Sequence, residues 1–282
     1  MESFAEFSAR KTAEAAAAAL PPYSTELEQP SEGMRRVGNT WSRRIFDGDF
    51  FLSPSAPAGR PSCSLVFVQS HDGNTGAPDP GDLGGGETDK HVVYEGLSRV
   101  AADAVMAGAE TARGGAVVFS VWHPELVALR AACGLPRHPV QIVATLRGLD
   151  LERGMLFNTP DIRVVLVTVA SCAEAMAPSL AGRPWIATVA MPHAVDLAAA
   201  FARLRGMGIA RLSCVGGRQL AGSLIDAGLV DDLHLTTAAR AGGVPGTPLY
   251  ARPLPPHRTV VRKHGTGPEQ GVVFSHLAFP RT

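Results

Sequence analysis

The spacing of hydrophobic positions changes character along the chain. From Cys63 onward, short β-branched runs alternate with stretches in which apolar residues recur every three or four positions; the residues before it hold neither period for long. Residues 64–68 (Ser-Leu-Val-Phe-Val) make a buried-strand run, ended by the turn pair Asp72-Gly73. A glycine-rich loop over 81–86 leads into a predicted helix over 88–100, with Val92, Val93, Gly96, Leu97 and Val100 on one face. Further strands are predicted at 103–107, 140–146, 162–169, 185–189 and 211–215. Helices are predicted at 124–133, from about Ser171, at 195–207 and at 219–227, the last stopped by Gly228. The tail changes period again: Leu233 and Leu235, Val260-Val261 and residues 272–279 read as antiparallel edge strands. These elements predict an α/β fold with a mostly parallel sheet, helices on both faces and antiparallel C-terminal edge strands.

The segment before Cys63 is different. Residues 4–20 read as a helix, because 12–20 is almost all Ala and Glu, and Pro21-Pro22 end it. Up to Pro61 the chain is rich in Pro, Ser, Gly and Arg, with one apolar patch at 45–52. Residues 1–61 are therefore expected to be an extension that packs onto the domain or swaps onto a partner, and residues 62–282 the domain itself.

Composition removes several function classes. Lys plus Arg equals Asp plus Glu at 26 each, so no net field draws nucleic acid or an anionic membrane. The four cysteines (Cys63, Cys133, Cys172, Cys214) form no C-x-x-C pair, and reduced thiols are expected. The histidines never pair at metal-ligand spacing, so no metal site is expected. No apolar run is long enough to span a bilayer, and the N-terminus lacks the layout of a secretory signal, so a cytoplasmic location is expected.

Three segments can carry chemistry. In Leu212-Ser213-Cys214-Val215-Gly216-Gly217-Arg218-Gln219-Leu220 an apolar strand runs through two glycines into an amphipathic helix. A helix start offers free N–H groups and partial positive charge to a phosphate, and glycines let a pyrophosphate approach the backbone. A tight strand-to-helix turn with nothing bound has the same pattern, and neither G-x-G-x-x-G nor a P-loop occurs. In 103–114, Gly108 closes a strand and is followed by Thr111 and Arg113, residues that can line the other side of a nucleotide crevice or simply start a helix. The third, Gln69-Ser70-His71-Asp72-Gly73-Asn74-Thr75, is polar loop material at a strand end, able to face a substrate.

Together these segments are more specific than any one of them. Ser70 to Gly73, Asp103 to Thr111, Gly216-Gly217, Ala227-Gly228-Leu229-Val230-Asp231-Asp232-Leu233 and Gly271-Val272-Val273-Phe274 occur in an order that resembles the riboflavin-biosynthesis pyrimidine reductase family, of dihydrofolate-reductase-like fold. The resemblance implies NADPH as cofactor, cradled by Gly108, Thr111, Gly216, Gly217, Arg218, Gln219 and Leu220, with Thr168 and Ser171 at the adenosine 2′-phosphate. It implies substrate contacts from Ser70, Asn74 and Arg113, with Asp72 the carboxylate able to assist proton transfer or merely to form the turn. It also implies a homodimer, since the antiparallel tail offers edge strands that need cover.

The departures fall on the substrate side. The family's acidic stretch after the Thr is replaced by Ala112-Arg113-Gly114-Gly115-Ala116, Asn74 stands where a basic residue is usual, and Val215 where an acid precedes Gly-Gly. His123-Pro124-Glu125-Leu126 is the nearest candidate for a displaced remnant. Two functions stay open: an NADPH-dependent reductase acting on a pyrimidine- or pterin-like small molecule, with a diverged substrate, or a non-catalytic NADPH- or nucleotide-binding protein on the same fold.

Overall fold

The structure, a computed structural model, describes residues 2–54, 59–113 and 117–280. Its centre is a ten-stranded sheet ordered β1-β11-β12-β10-β4-β9-β5-β6-β7-β8. The domain strands are β4 (Ser62–Gln69), β5 (Ala104–Gly108), β6 (Val140–Ala144), β7 (Val164–Val169), β8 (Ile186–Met191), β9 (Arg211–Gly216), β10 (Asp232–Thr237), β11 (Arg258–Gly265) and β12 (Val273–Ala278). Seven of them, β10 through β8 in the sheet order, run parallel, which gives all seven the same carboxyl edge. One expectation is corrected here. The Leu233–Leu235 strand, β10, is antiparallel only to β12; on its other side it pairs in parallel with β4 and lies inside the sheet. Alternation alone does not show a strand's direction, and Leu233 and Leu235 alternate because β10 packs different neighbours on its two faces.

Side chains alternate between the two covered faces as the strand period requires. Leu65, Met106, Ile142 and Cys214 face Phe201 and Leu204 of α7 (Leu197–Gly206) and Ala221, Leu224 and Ile225 of α8 (Arg218–Asp226). Val66, Val105, Ala107 and Val215 face the opposite layer, Val92, Val93 and Leu97 and then Leu126 and Leu129 of α5 (Pro124–Ala132). The helix after the glycine-rich loop begins as a single α-turn, α3 (Gly86–Thr88), and continues as a π-helix over Asp89–Leu97. Long π-helical stretches are rare and gather at functional sites.

Two motif acids brace the amino edge of the sheet, far from the strand exits. Asp103 Oδ2 accepts the Ala210 and Arg211 N–H groups at 2.8 Å each. Asp231 accepts the Cys63 N–H at 2.9 Å and pairs with Arg60 at 2.8 Å.

The N-terminal residues contribute α1 (Phe4–Ala17), β1 (Tyr23–Glu28), α2 (Thr40–Phe46) and, on either side of α2, the antiparallel pair β2 (Arg35–Val37) and β3 (Phe50–Leu52). β1 zips onto β11, and buried Lys263 fastens the join by donating to Thr25 Oγ1 at 2.7 Å and the Asp47 carbonyl at 2.9 Å. The β11 edge, whose exposure motivated pairing with a second copy, is thus covered within the chain. The edges left are β1 and β8.

Candidate functional site

The helices fall into two groups by how they begin. α1, α2, α5 and α7 carry side-chain caps, from Ser3, Asn39, His123 and Asp196. The single turn α3, and α4 (Ala109–Ala112), α6 (Ala170–Leu180) and α8, have none, and α6 and α8 also lack an acid in their first turn. The starts of α4, α6 and α8 follow β5, β7 and β9, so unsatisfied N–H groups and the positive ends of the helix dipoles gather at one edge of the sheet.

The glycines predicted to approach a ligand do come together there. Ala107 is in register with Gly216, beside a bulge in the β5–β9 pairing. A Cβ on Gly216 would lie 2.9 Å from Thr111 Oγ1, so glycine is what allows the two exits to touch. Gly217 has φ +86°, and a Cβ built on it would lie 3.8 Å from the Gly108 backbone. A Cβ on Gly108 would meet nothing within 4 Å. Arg218 and Gln219 are exposed, Leu220 half-buried. The result is a backbone surface with open space in front of it, suited to a pyrophosphate.

Beside it, a groove of ≈ 470 Å³ is lined by Arg113, Arg147, Asp150, Ser171, Cys172 and Met176. Two guanidinium groups at the uncapped start of α6 suit a phosphate monoester. Arg147, on the loop after β6, was not anticipated; its signal in the sequence is a lone basic residue just past a predicted strand end. Arg113 belongs here rather than beside Ser70 and Asn74, and it is ion-paired with Glu110. Ser171 is exposed at the groove, but Thr168 is fully buried in β7 with its hydroxyl sealed from solvent, which corrects its expected place at the 2′-phosphate. Gly114, Gly115 and Ala116 lie outside the described residues.

The β4 exit is built differently. Ser70 Oγ donates to Asp72 Oδ1 at 2.6 Å, Asn74 Nδ2 donates to Asp72 Oδ2 at 3.0 Å, and the Gly242 N–H donates to Asp72 Oδ1 at 3.1 Å. Ser70 and Asn74 are buried, and Asn74 also bonds the Gly242 carbonyl and the Thr247 N–H. The Ser70 hydroxyl, followed by the Gly242 N–H, holds Asp72 below the usual carboxylate range. Ser70, Asp72 and Asn74 therefore form a closed turn onto the 240–247 loop. This corrects their reading as substrate contacts and as a proton donor: their hydrogen-bonding groups are spent on one another. His123 and Glu125 are not a displaced acid site either. His123 caps α5, and Glu125 accepts from Asn39 at 3.1 Å, tying α2 to α5.

An acid missed in the sequence does lie nearby. Asp89 opens the π-helix, 7% exposed, and accepts the hydroxyl hydrogen of Thr236, next to last in β10. Burial, with Glu269 adding repulsion, pushes Asp89 up to about 7. Its signal in the sequence is an Asp three residues after Gly84-Gly85-Gly86, at the start of the predicted helix.

A mostly parallel sheet with helices on both faces and a glycine-lined strand exit defines an α/β domain of the doubly covered kind. The sequence pattern of the RibD C-terminal domain family matches residues 61–261, and the chain belongs to that family. Among curated proteins, none matches the sequence. Solved structures share the fold. A pyrimidine reductase-like protein from Corynebacterium diphtheriae aligns over 79% of this chain and 93% of its own, at 22% identity and a TM-score of 0.63. RibD of Acinetobacter baumannii aligns over 78% of this chain but 58% of its own, at 16% identity and a TM-score of 0.56. The riboflavin biosynthesis reductase Rib7 of Saccharomyces cerevisiae aligns over 79% and 92%, at 17% identity and a TM-score of 0.52.

Proposed function

We propose that the chain is an NADPH-dependent reductase that transfers hydride to a pyrimidine- or pterin-like small molecule. The convergence of Gly108, Thr111, Gly216 and Gly217 with the uncapped starts of α6 and α8 carries this reading. The Gly216-Gly217 backbone would hold the pyrophosphate, and Arg147, Arg113 and Ser171 the adenosine 2′-phosphate. NADPH supplies the hydride; the chain's own residues orient it and the substrate and keep water out, which is most of such catalysis.

The test is a calorimetric titration with NADPH and NADH, followed by NADPH oxidation with the phosphoribosylamino-pyrimidine of riboflavin synthesis, a free aminopyrimidine and a pterin. NADPH is expected to bind roughly tenfold or more tightly than NADH, the worth of one or two charge-assisted bonds. Little turnover of the phosphoribosylamino-pyrimidine is expected, because Asn74 stands where the family has a basic residue and is locked in the turn. Equal affinity for the two cofactors removes the phosphate assignment. The closed Ser70–Asp72–Asn74 turn favours a second reading, a nucleotide-binding protein without reductase activity. That reading predicts NADPH binding with no oxidation by any of the three compounds.

A further inference from the structure

The sheet ends in β1 on one side and β8 on the other, and the two edge strands are finished differently. β1 is guarded: Asp47 Oδ2 accepts the Thr25 N–H at 2.8 Å, a bulge interrupts the strand between Thr25 and Leu27, and Glu26 and Glu28 are exposed along it. β8 has no such protection. Its six residues, Ile186 to Met191, include no charge and no proline, its pairing with β7 is unbroken, and Ala187 and Thr188 are exposed. Native sheets blunt their edges with charge, proline or bulges, because free N–H and C=O groups recruit another strand.

The register shows which groups of β8 are free. The Val164 N–H donates to the Trp185 carbonyl at 3.0 Å, and Val164 is in register with Ile186. In a strand each residue turns both its backbone groups to one side, and successive residues alternate. Trp185, Ala187 and Val189 therefore face β7, while Ile186, Thr188 and Ala190 face outward. Two outward groups are used within the chain: the Ile186 N–H donates to the Arg183 carbonyl at 3.0 Å, and the Ala190 carbonyl accepts from Arg203 at 2.6 Å. Among the described residues nothing bonds the rest, which are the N–H and C=O of Thr188, the Ala190 N–H and the Ile186 C=O.

We propose that β8 pairs antiparallel with β8 of a second copy of this chain, about a two-fold axis at Thr188. In that register each Thr188 N–H donates to the Thr188 carbonyl of the other copy, and each Ala190 N–H to the other copy's Ile186 carbonyl. Every free outward group is then satisfied. The two groups already used, the Ile186 N–H and the Ala190 carbonyl, are the ones that would otherwise face each other between the copies. They drop out together and end the ladder on both sides. An unrelated strand would have to match this pattern of gaps by chance; a second copy matches it by symmetry. The two Thr188 side chains also stand directly opposite, a favourable cross-strand pair. The β11 edge, to which the sequence pointed for pairing, is taken by β1, so β8 is where two ten-stranded sheets can join. The inference does not depend on the reductase reading.

The test is sedimentation velocity of the full chain across the micromolar range, with amide exchange followed by NMR at both ends of that range. A dimer is expected, and the Thr188 and Ala190 amides should become protected as it forms. The Ala187 and Val189 amides, which face β7, should be protected throughout. Thr188→Pro removes the central donor and leaves the pairing with β7 intact, as proline on an edge strand can. It should weaken association roughly tenfold to a hundredfold, the worth of the two hydrogen bonds lost. Thr188→Lys sets like charges directly opposite each other, should weaken association at low salt and recover part of it at high salt, and serves if the proline variant fails to fold. A chain that stays monomeric throughout overturns the inference. So does a dimer whose Thr188 and Ala190 amides exchange as freely as in the monomer, or one that Thr188→Lys leaves as tight as the parent, since either joins through another surface.

Discussion

Two strand exits at the same edge of the sheet are built in opposite ways. At the β5–β9 exit there is almost no side chain: Gly108, Gly216 and Gly217 bare the backbone, and the helix starts beside them go uncapped. At the β4–β10 exit side chains crowd together: Ser70, Asp72 and Asn74 bond one another, and Asp89 and Glu269 are pressed under a glycine loop. A phosphate with fixed geometry needs donors that do not move, which backbone provides. At the other exit burial acts on a side chain instead, and shifts the ionisation of Asp89. One end is specified by absences, the other by environment.

The largest expected effect tests the tuned end. Asp89 holds its proton more tightly in the native chain, to about 7, than at its ordinary value of 3.8. Its contribution to stability is therefore full in acid and lost as pH rises through 7, by up to ~4 kcal/mol for about three pH units. Asp89→Asn keeps the acceptor for Thr236 and removes the charge. Urea unfolding should find the variant more stable than the parent at pH 8, with the gap closing by pH 4. A gap independent of pH would mean that Asp89 is an ordinary surface carboxylate. The acid limb belongs to His234 and His138, lowered by burial to about 3 and about 4; their contribution is lost as pH falls.

Next is the bare end. Gly108 has φ −76° and open space before it, so Gly108→Val should fold normally and obstruct the pyrophosphate path, weakening NADPH about a hundredfold, ~2.7 kcal/mol. Gly217→Val is a poorer probe, because φ +86° strains any branched residue and roughly 1–3 kcal/mol of stability goes with it. Normal NADPH binding by a folded Gly108→Val would place the cradle elsewhere. Smaller again is Arg147→Ala, expected to weaken NADPH roughly tenfold, the value of one charge-assisted bond, and to leave NADH unchanged. An equal loss for both cofactors would assign Arg147 to the pyrophosphate instead.

The same contrast explains what the sequence disclosed. Gly108, Thr111, Gly216 and Gly217 were legible because glycine at a strand exit has few reasons other than close approach, and their mutual packing bears on that directly. The parallel sheet was legible from alternating periods, but the direction of β10 was not, since alternation is blind to it. Asp103 and Asp231 carry much of the resemblance and turn out to brace the far edge of the sheet. Polarity at the β4 exit was read as availability, and Ser70, Asp72 and Asn74 show why that fails: a polar side chain can be consumed by its neighbours. Asp89 could not be read at all, because its distinction comes from burial and from Thr236 and Glu269, both distant in the chain.

The smallest expected effect is the sharpest on this point. Asp72 is exposed, ionised, and held by Ser70, Asn74 and the Gly242 N–H. Asp72→Asn preserves an oxygen for Ser70 and Gly242 but sets an amide N–H₂ against the N–H₂ of Asn74, so one bond of the turn is lost. Asn74 cannot simply flip in response, because its own oxygen accepts from Thr247 and its nitrogen donates to the Gly242 carbonyl. The expected result is a slightly lower melting temperature, unaltered NADPH affinity and a kcat/KM within about threefold of the parent, since no interaction made only in the transition state is removed. If Asp72 delivers the proton instead, the same change lowers kcat by orders of magnitude with little effect on melting. Measuring both quantities on the one variant separates a turn residue from an acid.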